Sequence, residues 1–245
     1  EQALAREALS LWRDVIGVNF NEVASGGQIT FTDNQSGAFT SSTTSGGFIT
    51  SSTVNISSTW LSTPATNLRS YWLQTYVHEI GHALGLGHAG PYNNTANYSQ
   101  DATYLNDSWA TTVMSYFDQT ENTYFADLGF SRVYAETPMI ADIIAARNLY
   151  GGGSTTTRTG DTTYGFNNNS GHSIYDAATG LTSIAVTIVD NGGNDTLDYS
   201  GYSSNQLINL TPESFSNIGG STGNLSIARD TIIENARGRS EEHTS

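Results

Sequence analysis

The sequence predicts an α+β fold over residues 1–152, followed by an all-β segment over residues 153–238. Three observations carry this expectation. Three stretches place apolar residues at helical spacing, and all lie before residue 152. Short β-type runs separated by turn-forming residues fill much of the rest. At Gly151-Gly152-Gly153, followed by Ser154 and three threonines, the composition changes and helical periodicity stops.

The elements follow in order. Leu4, Ala8, Leu11 and Val15 define an amphipathic helix over residues 2–16. Residues 19–24 and 28–33 read as strands separated by Gly26-Gly27. Residues 35–63 are rich in Ser, Thr and Gly, interrupted by short strand-like runs at 47–50 and 53–56. A second helix starts near Thr66 and runs to about Leu84, with Leu68, Trp72, Tyr76, Ile80 and Ala83 on one face. Gly85 ends it, because glycine accepts the left-handed conformation at a helix terminus. Residues 89–112 read as polar loop. The third helix covers residues 138–149, with Thr137 as N-cap, Pro138 in the first turn and Gly151 as its stop. Beyond the boundary, strands are expected at 184–189, 196–199, 206–210 and 225–227.

Composition narrows the function classes. Only 13% of the 245 residues are charged, and 23 acidic residues face nine basic ones, all arginine. A net charge of −14 argues against nucleic acid or anionic membrane as a partner and favours calcium. No apolar run reaches the length of a membrane-spanning helix. The absence of cysteine removes disulfides, thiolate metal sites and cysteine nucleophiles together. An extracellular chain without disulfides needs another staple, and bound metal is one. Absent lysine and abundant Ser, Thr, Asn and Gly fit a secreted bacterial protein.

The chemistry concentrates at His78-Glu79-Ile80-Gly81-His82-Ala83-Leu84-Gly85-Leu86-Gly87-His88. This run matches H-E-x-x-H-x-x-G-x-x-H at every fixed position. His78 and His82 are four apart, so a helix projects both imidazoles from one face. Gly85 turns the chain so that His88 returns to the same point. Three neutral nitrogens leave zinc an open position for water, the layout of a catalytic site. Glu79 sits beside the first ligand without ligating, so it suits a general base that passes the water's proton to the leaving amine.

A second group of motifs gives the resemblance. Met114-Ser115-Tyr116 lies 26 residues beyond His88, as a methionine turn does in the metzincins. That turn, the run Ala141 to Gly151, Arg158 to Thr162, Tyr164-Gly165-Phe166 and Gly192 to Thr196 together resemble serralysin over residues 8–238. Serralysins are secreted bacterial metalloproteases with a catalytic domain followed by a calcium-binding β-roll. The resemblance implies a metzincin catalytic domain at 1–152, with a twisted, mostly parallel sheet and three main helices, then the start of an all-β calcium-binding roll at 153–238. It implies that Met114 forms a hydrophobic floor under the zinc. It implies that Tyr116 ligates zinc at rest and swings away to stabilise an oxyanion. Two departures stand out: Ala89 replaces the usual proline after His88, and residues 35–63 are shorter than in the family.

The C-terminal constellation is Asp190-Asn191-Gly192-Gly193-Asn194-Asp195-Thr196-Leu197, which resembles half of a repeats-in-toxin nonapeptide. Calcium requires six to eight oxygens, and Asp190 and Asp195 can supply carboxylates. By resemblance, Arg158, Gly160 and Thr162 give carbonyls to one ion shared with Asp190, Gly192 and Asp195. Gly193, Asp195, Ile232 and Glu234 would serve a second. The family has Thr-Ile-Glu where this chain has Ile232-Ile233-Glu234, so residue 232 can ligate only through its backbone.

Other signals are set aside. Gly219 to Gly223 fits G-x-S-x-G, but a strand-like run follows it rather than a helix, so it reads as loop. Residues 93–99 read as loop, and His172 as a solvated turn residue. The resulting expectation is a secreted, extracellular, monomeric zinc endopeptidase acting on protein and peptide substrates, with an edge strand lining its cleft. A proteinaceous inhibitor is a further expected partner. The alternative is a non-catalytic secreted calcium-binding interaction module on a protease-like scaffold. Residues 239–245 resemble a translated sequencing-library adapter and read as a non-native tail; the natural chain would then continue into further repeats.

Overall fold

The computed structural model describes residues 1–62, 68–180 and 183–239. Helix α1 (Gln2–Ile16) buries Leu4, Ala8, Leu11, Trp12 and Val15, and Gly17 closes it at φ 71° with its N–H on the Arg13 carbonyl. The strand expected at 19–24 does not form. That segment is largely exposed, and its Glu22 pairs with Arg6 of α1 at 2.8 Å rather than lying in a ladder.

Strands β1 (Ile29–Thr32), β2 (Ala38–Ser45) and β3 (Phe48–Ile56) form one sheet in the order β1-β3-β2. The sheet is mixed, since β1 pairs with β3 in parallel and β2 with β3 antiparallel. β2 leaves no trace of alternation in the sequence because its Ser/Thr-rich run is half-buried at one end and exposed over the other. The two short runs expected at 47–50 and 53–56 merge into the single strand β3.

Helix α2 (Tyr71–Ala83) carries the metal motif and packs against α1 and this sheet. It begins after Ser70 rather than near Thr66, which lies outside the described residues; Leu68 already belongs to a bend. Trp12 Nε1 donates to the Val77 carbonyl at 3.0 Å and fixes α1 on α2. Short helices α3 (Tyr98–Asp101) and α4 (Thr123–Asp127) interrupt the loops, and β4 (Tyr134–Ala135) follows. Helix α5 (Ile140–Leu149) starts two residues later than expected. The Thr137 hydroxyl is engaged instead by the Thr187 N–H at 2.8 Å, and Asp142 accepts from the Met139 N–H at 2.8 Å.

After residue 152 come β5 (Thr163–Gly165), two 3-10 turns (Ser173–Tyr175 and Ala177–Thr179), β6 (Ile184–Ile188), β7 (Thr196–Asp198), β8 (Phe215–Ser216), β9 (Leu225–Ile227) and β10 (Asn235–Arg237). They build a β10-β7-β5 sheet and a β4-β6-β9-β8 sheet. The strand expected at 206–210 reduces to one bridge, Leu207 to Asn217. β4 comes from before residue 152 yet pairs in parallel with β6, so the N-terminal part supplies a strand to the second part. Ser154 N–H on the Val15 carbonyl and Thr157 Oγ1 on the Asp14 carbonyl also join the two.

His172 is a correction. It is 6% exposed, not solvated, with Nδ1 2.9 Å from Glu7 Oε1 and Nε2 2.9 Å from Asp14 Oδ2. Asp14 also receives Arg158 Nη1 at 2.6 Å. A buried charge cluster thus ties α1 to the all-β part. Burial opposes protonation of His172, but hydrogen bonds to Asp14 and Glu7 outweigh it and raise the pKa to about 9.

Candidate metal centre

The site is assembled by the end of α2. Gly85, at φ 99°, donates its N–H to the His82 carbonyl at 3.0 Å, and Leu86 N–H reaches the Gly81 carbonyl at 3.0 Å. This paired closure is a Schellman motif. It reverses the chain so that His88 Nε2 comes within 3.0 Å of His82 Nε2, while His78 Nε2 lies 3.1 Å from His82 Nε2. Among the described residues, these three are the one group of three or more His, Cys, Asp or Glu side chains whose ligand atoms converge.

The other ring nitrogens show what the convergence means. His78 Nδ1 is 2.8 Å from the Val113 carbonyl, His82 Nδ1 2.8 Å from the Leu86 carbonyl, and His88 Nδ1 3.0 Å from the Tyr92 carbonyl. A carbonyl only accepts, so each Nδ1 carries the proton. Each Nε2 then presents a lone pair to its neighbours. With His82 Nε2 about 3 Å from each of the other two, these lone pairs repel one another unless a cation sits among them. Burial, reinforced by the neighbouring imidazoles, pushes His78 down to about 3; burial lowers His82 and His88 as well. The rings are neutral at physiological pH, as metal binding requires.

Elements beyond α2 hold these carbonyls in place. Asp142 on α5 accepts from Val113 N–H at 2.7 Å and from Thr112 Oγ1 at 2.6 Å, fixing the turn that supplies the His78 partner. Tyr92, whose carbonyl serves His88, is anchored by its hydroxyl on Asp107 at 3.0 Å. Met114 is buried under the motif. A Cβ at Gly81 would lie 2.6 Å from Met114 Sδ and 3.2 Å from Trp12 Cζ2. Glycine in the H-E-x-G-H run therefore gives the methionine room against the helix.

Glu79 is 5% exposed and lies outside the group of converging histidines. Burial pushes its carboxyl up to about 7, while a hydrogen bond from Thr40 opposes the rise. Tyr116 lies beside the site, its ring 4.5 Å from that of His88 and 6.2 Å from that of His78. Its hydroxyl reaches Asn93 Oδ1 at 3.5 Å. Sequence reasoning missed Thr40, Asn93, Asp107 and Asp142. Of these, only Asp142 lay within a stretch already marked as motif.

The residues implied as calcium ligands are brought together unevenly. Asp195 Oδ1 accepts the Thr162 N–H at 2.7 Å, and its N–H donates to Glu234 Oε2 at 2.7 Å. Asp195 Oδ2 is buried without a hydrogen-bond partner. Burial, then the charges of Asp190, Glu234 and Asp161, raise the Asp195 carboxyl to about 6. Gly193, at φ 137°, sits so close to Gly160 that a Cβ would lie 2.6 Å from its carbonyl oxygen. Both Asp190 oxygens are engaged, by Tyr164 hydroxyl at 2.6 Å and Gly192 N–H at 2.9 Å. The Thr162 carbonyl accepts from Thr196 N–H at 2.8 Å. Arg158, at φ 50°, directs its side chain to Asp14 and to the Val189 carbonyl, and the Ile232 side chain is exposed. An unpartnered buried carboxylate oxygen among acidic neighbours fits a cation.

A mixed α+β scaffold presents three convergent imidazoles over a methionine turn, beside a buried glutamate, the arrangement of a metzincin-type metal site. Residues 1–104 match the family described as Matrixin, and residues 153–244 match Peptidase M10 serralysin C terminal. The chain belongs to the serralysin family. It is 40% identical over 248 aligned positions to metallopeptidase AprA of Pseudomonas marginalis, covering 97% of this chain and 52% of the relative. It is 42% identical over 257 positions to serralysin C of Dickeya chrysanthemi, covering 96% and 51%. To metalloprotease AprA of Pseudomonas entomophila (strain L48) it is 38% identical over 258 positions, covering 98% and 51%. The chain thus spans about half the length of these curated relatives.

Proposed function

We propose that this chain is a zinc endopeptidase, secreted and extracellular, that hydrolyses peptide bonds of protein substrates. The observation that carries the reading is the fixed tautomer of all three imidazoles, which aims three lone pairs at one point beside Glu79. His78, His82 and His88 would hold zinc, with Tyr116 as a further ligand at rest. Bound zinc would supply Lewis acidity toward water and the scissile carbonyl.

The remaining steps belong to the chain. β2 is an edge strand, and its Thr40 touches Glu79, so a peptide lying extended along β2 is brought to the base. Glu79 takes a proton from the attacking water and returns it to the leaving amine. Tyr116, half-buried and next to His88, donates its phenol to the oxyanion that develops at the carbonyl. Met114 supports the histidines from below. The C-terminal part would bind calcium through Asp195, Glu234, Asp190 and the Arg158, Gly160, Thr162, Gly192, Gly193 and Ile232 backbone. A monomer open to a proteinaceous inhibitor fits an exposed cleft edge. The non-catalytic alternative is not favoured, since the base is present and held.

The test is Glu79→Ala. Zinc content should remain near one per chain while casein hydrolysis falls by about two to four orders of magnitude. His82→Ala should lose zinc. Near-full activity in Glu79→Ala would sink the reading.

A further inference from the structure

We propose that Thr40 is a positioning residue for Glu79, whose hydroxyl holds one carboxylate oxygen and so assigns proton transfer to the other. The proposal rests on the endopeptidase reading above.

Thr40 lies on β2, across from the buried Val54 of β3, and is half-buried against α2. Its Oγ1 is 2.8 Å from the Glu79 backbone carbonyl and 2.9 Å from Glu79 Oε2. Both contacts therefore go to a single residue, one at the main chain and one at the end of the side chain. Because a hydroxyl has one proton, the two oxygens share or compete for it. Shared between them, that proton lets Oγ1 tie the far end of the glutamate to its own helix. That tie favours one arrangement of a side chain with three rotatable torsions.

The chemical consequence concerns the two oxygens. An O–H donor aimed at Oε2 stabilises negative charge there and disfavours a proton at that position. Oε1 accepts no hydrogen bond from the described residues, so it is the oxygen with a lone pair free for the water's proton. The proton leaving the water therefore forms its new bond at Oε1. Oε2 remains the carbonyl-like oxygen held by Thr40. The proton then departs from Oε1 to the leaving amine nitrogen, and the carboxylate is restored. Without the hydroxyl, the proton can settle on Oε2, on the side turned away from the substrate. The carboxyl can also rotate out of line.

Glu79 is 5% exposed, so solvent offers little replacement for the lost partner. A base displaced by about 1 Å can lose a hundredfold in rate. Substrate pairing along an edge strand uses main-chain groups, so a side-chain change at residue 40 should leave binding intact.

The experiment compares Thr40→Val and Thr40→Ser with the unaltered chain. Thr40→Val keeps the shape and removes the hydroxyl. It should lower kcat by about ten- to a hundredfold, with KM within about twofold and zinc still near one per chain. Thr40→Ser should recover most of kcat. An unchanged kcat in Thr40→Val, a loss carried wholly by KM, or a serine variant as slow as the valine variant would each overturn the proposal. Should Thr40→Val fail to fold, Thr40→Ala is the second hydroxyl-free variant. If the unaltered chain hydrolyses no peptide, the endopeptidase reading fails by itself. Crystal structures then decide the proposal: the Glu79 carboxyl should keep its place in Thr40→Ser and leave it in the hydroxyl-free variant. A glutamate that stays put in the latter overturns it.

Discussion

Replacing His172 by glutamine is expected to flatten the stability of this protein across the alkaline range. Both imidazole nitrogens lie 2.9 Å from carboxylate oxygens, Nδ1 from Glu7 and Nε2 from Asp14. Carboxylates only accept, so both nitrogens must donate, and the ring is held as imidazolium. The other groups around it are Arg158 and Arg13, both on Asp14, and the Tyr175 ring at 6.2 Å. The folded-state pKa rises from 6.5 to about 9. A raised pKa contributes stability that is fully present below about 6.5 and disappears as pH rises through about 9. At about 1.4 kcal/mol per pH unit, that difference amounts to about 3 kcal/mol. The assay is urea denaturation at about pH 6, 7.5 and 10, in a Glu79→Ala background to prevent self-digestion. Other groups titrate in this range, so the informative quantity is the difference in stability between the chain that keeps His172 and the His172→Gln variant. That difference should shrink by about 3 kcal/mol from the lowest to the highest pH. A difference that stays constant would refute the imidazolium and the cluster that holds it.

Three further outcomes are expected. Gly81→Ala should cost about 1–3 kcal/mol through overpacking, because its Cβ would stand 2.6 Å from Met114 Sδ; thermal melting and zinc titration read both stability and a weakened metal site. Tyr116→Phe should lower kcat by about ten- to a thousandfold with KM nearly unchanged, as for one lost oxyanion donor; a pure KM effect would place the phenol in substrate binding instead. Calcium at millimolar level should raise the melting temperature, and Asp195→Ala should remove that rise, since the buried Oδ2 of Asp195 lacks a protein partner; identical curves with and without calcium would count against the site.

How much of this was legible depends on distance along the chain. The three histidines were readable because a helix converts a spacing of four into one face and Gly85 marks its end. Helix α1 and strand β9 matched their expected spans closely for the same reason: their apolar pattern is local and buried. β2 was not legible, because an exposed Ser/Thr strand carries no alternation for a pattern to find. Thr40 was hidden with it, 39 residues from Glu79. His172 misled because its surroundings are Asn, Ser and Gly in sequence but Glu7 and Asp14 in space, 165 and 158 residues away. Asp142 and Asp107 look like ordinary acidic residues until their hydrogen bonds to the loops that carry the histidine partners are seen.

The three imidazoles are held by carbonyls of very different origin, and this explains how the site resists distortion. Leu86 is part of the cap of α2, so the His82 partner forms with the helix itself. Tyr92 lies four residues beyond His88 and is pinned by Asp107. Val113 comes 35 residues after His78 and is pinned by Asp142 from α5. No single loop movement can therefore rotate all three rings. Burial favours a neutral Asp142, against hydrogen bonds from Thr112, Val113 and Met139, and its carboxyl is pushed up to about 6. The cost of burying that group is offset only where the turn and α5 meet in this one arrangement. The same turn presents Met114 to Gly81 from below and Tyr116 to His88 from the side. One buried carboxylate on the last helix thus sets the position of a ligand partner, the floor and the phenol together. Loss of Asp142 would be felt at all three, although it touches none of the histidines.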